Sequence, residues 1–339
     1  MTHGISSLPK RNNSLLRFIG VLLIGAIIKR DVIDRARNRF QGIEEIESPI
    51  TKGRYKLYKY KDVVIPPFAL QYIKDSSIEN FEVREDDIWI VSYPRSGTTM
   101  LMEIIYLIST GLNFEQANKE LLETRVPYLE YTQFGIKSID AKPSPRIIKT
   151  HLPLRLLPKQ IFEKEAKILY IARNPKDLLV SNYHFFKLLK PVTRFNGTIG
   201  EFFDSFIHDK VPYSPWWRHV KEFWAIQEQE KMLFLTYEDL IQDPINSIQR
   251  IGLFLGKALS KDEAQQIAHH CHFDRMKANV CTNYHHLVEL GIYDKNESFI
   301  RKGMVGDWTN CLTEDMSQKV DKLVAMKFSG TGLRFKYQA

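Results

Sequence analysis

Arg95, Ser96, Gly97, Thr98 and Thr99 stand side by side. A cation with a planar fork, three hydroxyls and a residue without a Cβ form the donor set that a loop needs to hold a phosphate-like anion. The apolar run Asp87–Tyr93 precedes them, and an amphipathic stretch beginning at Met100 follows. The segment therefore reads as a strand, a tight turn and a helix. Backbone N–H groups and the helix dipole would then face the anion. The loop is not a Walker A motif, which needs G-x-x-x-x-G-K-[ST]. Only one of its glycines is present, and no Lys precedes the hydroxyls. Standing alone, the segment also admits the lesser reading of a strand that turns into a helix without any ligand.

Two further segments suit a phosphate site. Lys167–Arg173 reads as a buried strand ending in a cation, followed by Asn174-Pro175-Lys176-Asp177 and an apolar-periodic stretch over residues 178–186. Arg173 then falls at the carboxyl end of a strand, where open α/β sheets bind ligands. Ser181 falls two turns into the following helix. The third segment, Arg301-Lys302-Gly303-Met304-Val305-Gly306-Asp307-Trp308, joins two cations to two glycines. Taken singly, such an Arg-Lys pair reads as a solvated face.

His269-His270-Cys271-His272 invites a metal reading. His269 and His272 are suitably spaced for one ion, but adjacent side chains point in different directions, so no metal is expected. Cys271, Cys281 and Cys311 are odd in number and lack C-x-x-C spacing, which points to a reducing compartment rather than a disulfide framework.

The elements that must position these groups are legible as apolar runs. Strands are predicted at Asp87–Tyr93, Arg146–Thr150, Lys167–Ala172 and Met232–Thr236, separated by helix-length segments. This alternation predicts an α/β fold, a mostly parallel central sheet flanked by helices. The chain has 339 residues, 44% apolar and 26% charged, with no repeat and no Pro- or Gly-rich linker after residue 60. One α/β domain over residues 46–339 follows, with residues 1–45 as an N-terminal extension. The net charge of +8 suits an anionic partner. With no Lys/Arg run of five and no nucleic-acid motif, that partner is a small acidic ligand rather than a nucleic acid.

Together the three segments resemble the cytosolic sulfotransferase family, which moves a sulfuryl group from 3′-phosphoadenylyl sulfate to a hydroxyl or amine. Tyr93-Pro94-Arg95-Ser96-Gly97-Thr98-Thr99-Met100 resembles its 5′-phosphosulfate loop, the strand and helix around Arg173 and Ser181 its 3′-phosphate site, and Arg301–Trp308 its R-K-G-x-x-G-D-W signature. Lys149-Thr150-His151-Leu152-Pro153 is similar to the segment that carries the catalytic histidine, and Tyr237-Glu238-Asp239 to the Y-E-D element. The likeness runs from about Lys52 to Phe335. Val126–Tyr131 and Ser144-Pro145-Arg146 look closest to the brain-type branch.

The resemblance implies a P-loop-like fold, that nucleotide as co-substrate, no metal, and a small hydrophobic acceptor. It implies that His151 acts as general base, and an unperturbed imidazole, with a pKa of about 6.5, is poised near neutral pH. Arg95, Lys149 and the N–H groups of residues 96–99 would stabilise charge on the departing phosphate. Arg173, Ser181, Arg301, Lys302 and Gly303 would hold the 3′-phosphate. Met100, Tyr237, Cys271 and Phe273 fall where the family contacts the nucleotide.

Three departures stand out: Arg95 replaces a lysine, Met100 a tryptophan and Cys271 a threonine. Arginine keeps the charge but is not interchangeable with lysine in a packed site. An active enzyme is expected, because His151, Ser181 and the R-K-G-x-x-G-D-W segment are intact. A nucleotide-binding pseudoenzyme and a retinol-dehydratase-like enzyme are the alternatives. A P-loop kinase is disfavoured by the missing Walker lysine. The family's dimer segment corresponds to residues 309–318, where only Thr313 is kept, so that dimer is not expected.

Residues 1–45 lie outside the resemblance. Phe18–Ile28 is an uncharged run of eleven, flanked by Arg17 and Lys29, which would cover only about half of a bilayer core. A cleaved signal peptide has little support, since no A-x-A-like site follows. A surface helix on the domain, a peripheral membrane contact through residues 15–40 and a type II anchor remain open. Cytoplasmic localisation, with membrane association through this segment, is the expectation.

Overall fold

The computed structural model describes residues 42–51, 55–131 and 136–338. The N-terminal apolar run and the membrane contact expected of it lie outside the described residues. No helix among those described is long and apolar enough to cross a membrane.

Three short strands open the fold as an antiparallel sheet, β1 (Ile43–Ile46), β2 (Leu57–Tyr60) and β3 (Val63–Ile65), in that order. β1 pairs Ile43 with Tyr60 and Ile46 with Leu57. The folded structure thus already includes residues 43–45, ahead of the boundary expected between residues 45 and 46.

The central sheet has four parallel strands, β4 (Ile88–Ser92), β5 (Ile147–Thr150), β6 (Lys167–Ala172) and β7 (Met232–Thr236), in the order β5-β4-β6-β7. These are the four strands predicted, within one residue at either end. Their side chains alternate between two apolar layers. Trp89, Val91, Ile148, Ile168, Tyr170 and Phe234 face one layer, which the helices Pro175–Leu188, Ile199–Ile207 and Glu314–Phe328 join. Ile88, Ile90, Ile147, Leu169, Ile171 and Leu235 face the other, with the helices Thr98–Ser109 and Pro244–Phe254. A strand covered on both faces reads as a continuous apolar run rather than an alternating one, which is why these four were visible in the sequence.

β4 lies between β5, reached through one crossover, and β6, reached through the next. The order of connection reverses at β4, and such a switch point opens a crevice beyond the carboxyl ends of the strands. Four loops meet there: Tyr93–Gly97 after β4, His151 after β5, Arg173 after β6 and Tyr237 after β7.

Candidate active site

A cavity of about 660 Å³ fills this crevice. Every residue expected to take part in catalysis or nucleotide binding lines it except Ser96: Arg95, Gly97, Thr98, Thr99, Met100, Lys149, His151, Arg173, Ser181, Tyr237, Cys271, Phe273, Arg301, Lys302 and Gly303. Ser96 is buried just behind, its Oγ without a partner.

The loop after β4 turns sharply, with φ of 72° at Arg95 and 101° at Gly97. A Cβ on Gly97 would sit 2.5 Å from Cδ2 of Tyr237. Both the backbone angle and the ring of Tyr237 therefore require glycine. Gly97 caps the helix Thr98–Ser109 without any side-chain hydrogen bond, so the first N–H groups of that helix face the crevice unsatisfied by a cap.

Arg95 folds back across the cavity. Its Nε donates to Ser181 Oγ at 3.2 Å and its Nη2 to the carbonyl of Phe299 at 2.8 Å. The guanidinium lies over the rings of Phe185 and Phe299, at 5.0 and 4.5 Å. Burial brings its pKa down to about 10. Arg95 thus joins the anion loop to the Ser181 helix and to the segment before Arg301, a two-pronged use for which a planar guanidinium is preorganised and an ammonium is not.

His151 is held on three sides. Its N–H donates to Glu130 Oε1 at 2.7 Å, and its carbonyl accepts from Nε2 of His219 at 3.0 Å. Its Nδ1 lies 2.7 Å from the carbonyl of Ser92. A carbonyl can only accept, so Nδ1 carries the proton and the neutral ring has its lone pair on Nε2. Burial, with Lys149 adding to it, pushes the His151 pKa well below 6.5. This corrects the expectation of an ordinary histidine. Lys149 sits 4.1 Å from the Tyr128 ring, and burial lowers its pKa to about 8, against the opposing pull of Glu130.

Arg173 reaches the carbonyls of Arg95 and Met304 at 3.2 and 3.3 Å and stacks on Tyr237 at 4.5 Å. Its Nε is buried and lacks a partner. Gly303 has φ of 66°, and a Cβ there would come within 2.2 Å of the Phe273 ring, so these two residues close the opposite wall together. Cys271 is buried, and burial pushes its thiol pKa far up, which makes it a packing residue rather than a nucleophile.

Arg301 and Lys302 are not free cations waiting for a ligand. Both bond Asp307, which burial would raise but which these bonds, Lys302 first, hold down at about 2. The turn carrying Asp307 is fixed in turn by Asp177, which accepts from the N–H of Gly306 at 2.7 Å and of Trp308 at 2.9 Å. Neither Asp177 nor Glu130 stands out as a site residue in the sequence, although both lie inside its recognisable segments.

The His-rich run holds its residues apart. His270 donates to Glu103, itself paired with Arg125, while His272 lies 3.6 Å from Asp274. Among the described residues no cluster of three or more His, Cys, Asp or Glu is placed to share a metal.

A parallel α/β sheet whose switch point opens onto an anion-binding loop, a neutral buried histidine and a ring of cations defines a nucleotide-dependent group-transfer site. Residues 85–332 match the sulfotransferase domain family, and the chain belongs to the sulfotransferase family. It is 39% identical to sulfotransferase 1B1 of Mus musculus over 277 residues, 80% of this chain and 91% of the relative. It is 35% identical to sulfotransferase 4A1 of Homo sapiens over 86% of this chain and 98% of the relative. Among solved structures, retinol dehydratase in a complex with retinol and PAP matches with a TM-score of 0.78 at 30% identity. That match covers 88% of this chain and 99% of the other. Mouse sulfotransferase SULT7A1 complexed with PAP matches at 0.66 and 29%, covering 81% and 94%.

Proposed function

We propose that this chain transfers a sulfuryl group from 3′-phosphoadenylyl sulfate to a hydroxyl of a small hydrophobic acceptor. The observation that carries the reading is the pairing of an unprotonated His151 Nε2 with a cation-lined anion loop in one cavity. The residues fit such a nucleotide. Ser96 Oγ and Arg173 Nε are buried polar atoms lacking partners beside the loop, and orphaned buried donors are costly unless a ligand satisfies them.

Bound there, the nucleotide supplies an activated sulfuryl group. The chain does the rest. His151 Nε2 takes the proton of the acceptor hydroxyl, while the carbonyl of Ser92 keeps the ring in that tautomer. Arg95, Lys149 and the N–H groups of residues 96–99 hold negative charge beside the buried Ser96 and Thr98, where electrostatic stabilisation exceeds that in bulk water. Arg173, Ser181, Arg301, Lys302 and Gly303 bind the second phosphate, with Asp307 yielding part of its hold on the two cations. Met100, Tyr237, Cys271 and Phe273 enclose the base. Phe68, Tyr128, Tyr131, Phe185 and Tyr293 furnish an apolar wall for the acceptor.

Melting curves test the nucleotide assignment. 3′,5′-Bisphosphoadenosine should raise Tm well above the effect of AMP at equal concentration, and equal shifts would overturn it. The fold likeness to a retinol dehydratase keeps a sulfation-then-elimination reading as the second choice, and product mass separates the two. Residues 15–40 would contact a membrane peripherally from the cytoplasmic side, a reading supported by the apolar run and its flanking cations.

A further inference from the structure

Lys336, Tyr337 and Gln338 line no part of the cavity, yet they join two of its walls from outside. The carbonyl of Tyr337 accepts from Nε1 of Trp308 at 3.0 Å. The Lys176 ammonium lies 4.3 Å from the Trp308 ring and 4.9 Å from the Tyr337 ring. One residue earlier, Lys336 Nζ donates to Asp239 Oδ1 at 2.5 Å and to Gln242 Oε1 at 3.3 Å. Gln242 returns a bond from Nε2 to the carbonyl of Gln338 at 3.2 Å. The segment thus runs from the Arg301–Trp308 turn to the helix Tyr237–Gln242.

That helix is a fixed anchor. Thr236 Oγ1 caps it by accepting from the Asp239 N–H at 3.1 Å, and Glu238 accepts from both the N–H and Nδ2 of Asn174 at 2.9 Å. The turn is gripped at its backbone by Asp177, through the N–H groups of Gly306 and Trp308. From inside the cavity Arg173 ties it to the same helix, reaching the Met304 carbonyl at 3.3 Å while lying 4.5 Å from the Tyr237 ring. A 3′-phosphate draws on Arg173 itself, so ligand binding weakens this inner tie. The outer tie through Tyr337 is untouched by the ligand.

Resting on the nucleotide reading above, we propose that Lys336 and Tyr337 are positioning residues for the 3′-phosphate. They brace the Arg301–Trp308 turn against the Tyr237–Gln242 helix and so set the spacing of Arg301 and Lys302 from Arg173 without contacting the nucleotide. The brace acts on the phosphate turn and not on the loop of residues 95–99. It therefore governs discrimination between nucleotides with and without a 3′-phosphate. A hydrogen bond such as that from Trp308 to Tyr337 is worth about two- to tenfold in an equilibrium.

Isothermal titration of 3′,5′-bisphosphoadenosine and of AMP tests this in wild type, in Trp308→Phe, and in chains ending after Tyr337 and after Phe335. Phe335 keeps its packing on Trp216 and Phe328 in both shortened chains. Wild type should bind the bisphosphate more tightly than AMP. Ending the chain after Phe335 should narrow that ratio by about tenfold, and Trp308→Phe, which loses the N–H and keeps a ring, by about threefold. The chain ending after Tyr337 keeps an oxygen for Nε1 and should match the wild type. A ratio unchanged in Trp308→Phe and in the chain ending after Phe335 would overturn the inference, as would an equal loss in the chain ending after Tyr337. A segment that only stabilises the fold lowers Tm and weakens both nucleotides in proportion, and that result also counts against it. If the chain ending after Phe335 does not fold, Trp308→Phe decides alone. A wild type that does not distinguish the two nucleotides refutes the nucleotide reading and this inference with it. One that does, with ratios indifferent to the segment, refutes this inference alone.

Discussion

Nδ1 of His151 lies 2.7 Å from the backbone carbonyl oxygen of Ser92, at the carboxyl end of the central strand. That one contact fixes the tautomer and leaves Nε2 as a lone-pair acceptor inside the cavity. His151→Ala should therefore abolish transfer, by about 10²–10⁴-fold for a general base, and leave the Tm rise with 3′,5′-bisphosphoadenosine nearly intact. Retained turnover would show that another group takes the proton.

The pH profile carries two signatures. A base works only unprotonated, and burial holds the His151 pKa well below 6.5. The acid limb of kcat/KM should thus lie well under the value of about 6.5 shown by an ordinary imidazole. On the alkaline side Lys149, lowered to about 8, loses its proton and its charge as the pH rises. Activity should decline through that region. An acid limb centred on the ordinary imidazole value would contradict the buried geometry.

Gly97→Ala places a methyl group 2.5 Å from the Tyr237 ring at a φ of 101°. Strain of this kind costs about 1–3 kcal/mol, and the loop must shift to relieve it. Nucleotide affinity should fall by about tenfold or more while the fold persists. Isothermal titration checks it, and wild-type affinity in the variant would show that the loop does not touch the ligand.

Arg95 bonds both Ser181 and the carbonyl of Phe299 from between two rings. Arg95→Ala should lose nearly all transfer. Arg95→Lys keeps one charge but cannot make both contacts from a planar fork, so it should give equal or lower activity. A rise in transfer from the lysine variant, alone or with Met100→Trp, would mark the arginine as the residue of a decayed site.

The parallel sheet was legible because its strands are covered on both faces, so Ile88–Ser92 and Lys167–Ala172 stand out as unbroken apolar runs. The sheet β1–β3 was not. Its strands have three or four residues, and Glu44, Glu45 and Lys59 punctuate them. In the site, the three loops announced themselves through glycines and cations. Glu130 and Asp177 did not, because each acts on a partner far along the chain: Glu130 holds His151, and Asp177 holds Gly306 and Trp308. An isolated acidic residue reads as surface until the fold supplies its partner. The low His151 pKa was likewise invisible, since desolvation is a property of the closed cavity rather than of the residue.

β1 begins at Ile43 and pairs along its length with β2, so a deletion must stop short of it. Removing residues 1–41 should leave the domain folded and soluble, with nucleotide stabilisation unchanged. If residues 15–40 bind membranes peripherally, the full chain should sediment with vesicles and be released by high-pH carbonate. Resistance to that wash would mean a spanning anchor, and identical behaviour of both forms would remove the membrane reading.

The most direct measurement is transfer of labelled sulfate from 3′-phosphoadenylyl sulfate to a panel of phenols, steroids and amines, with His151→Ala beside the wild type and products identified by mass. The account predicts a stable sulfate ester from the wild type and none above background from the variant. Nucleotide bound by both proteins with no ester from any acceptor, or a dehydrated product in place of the ester, would contradict it.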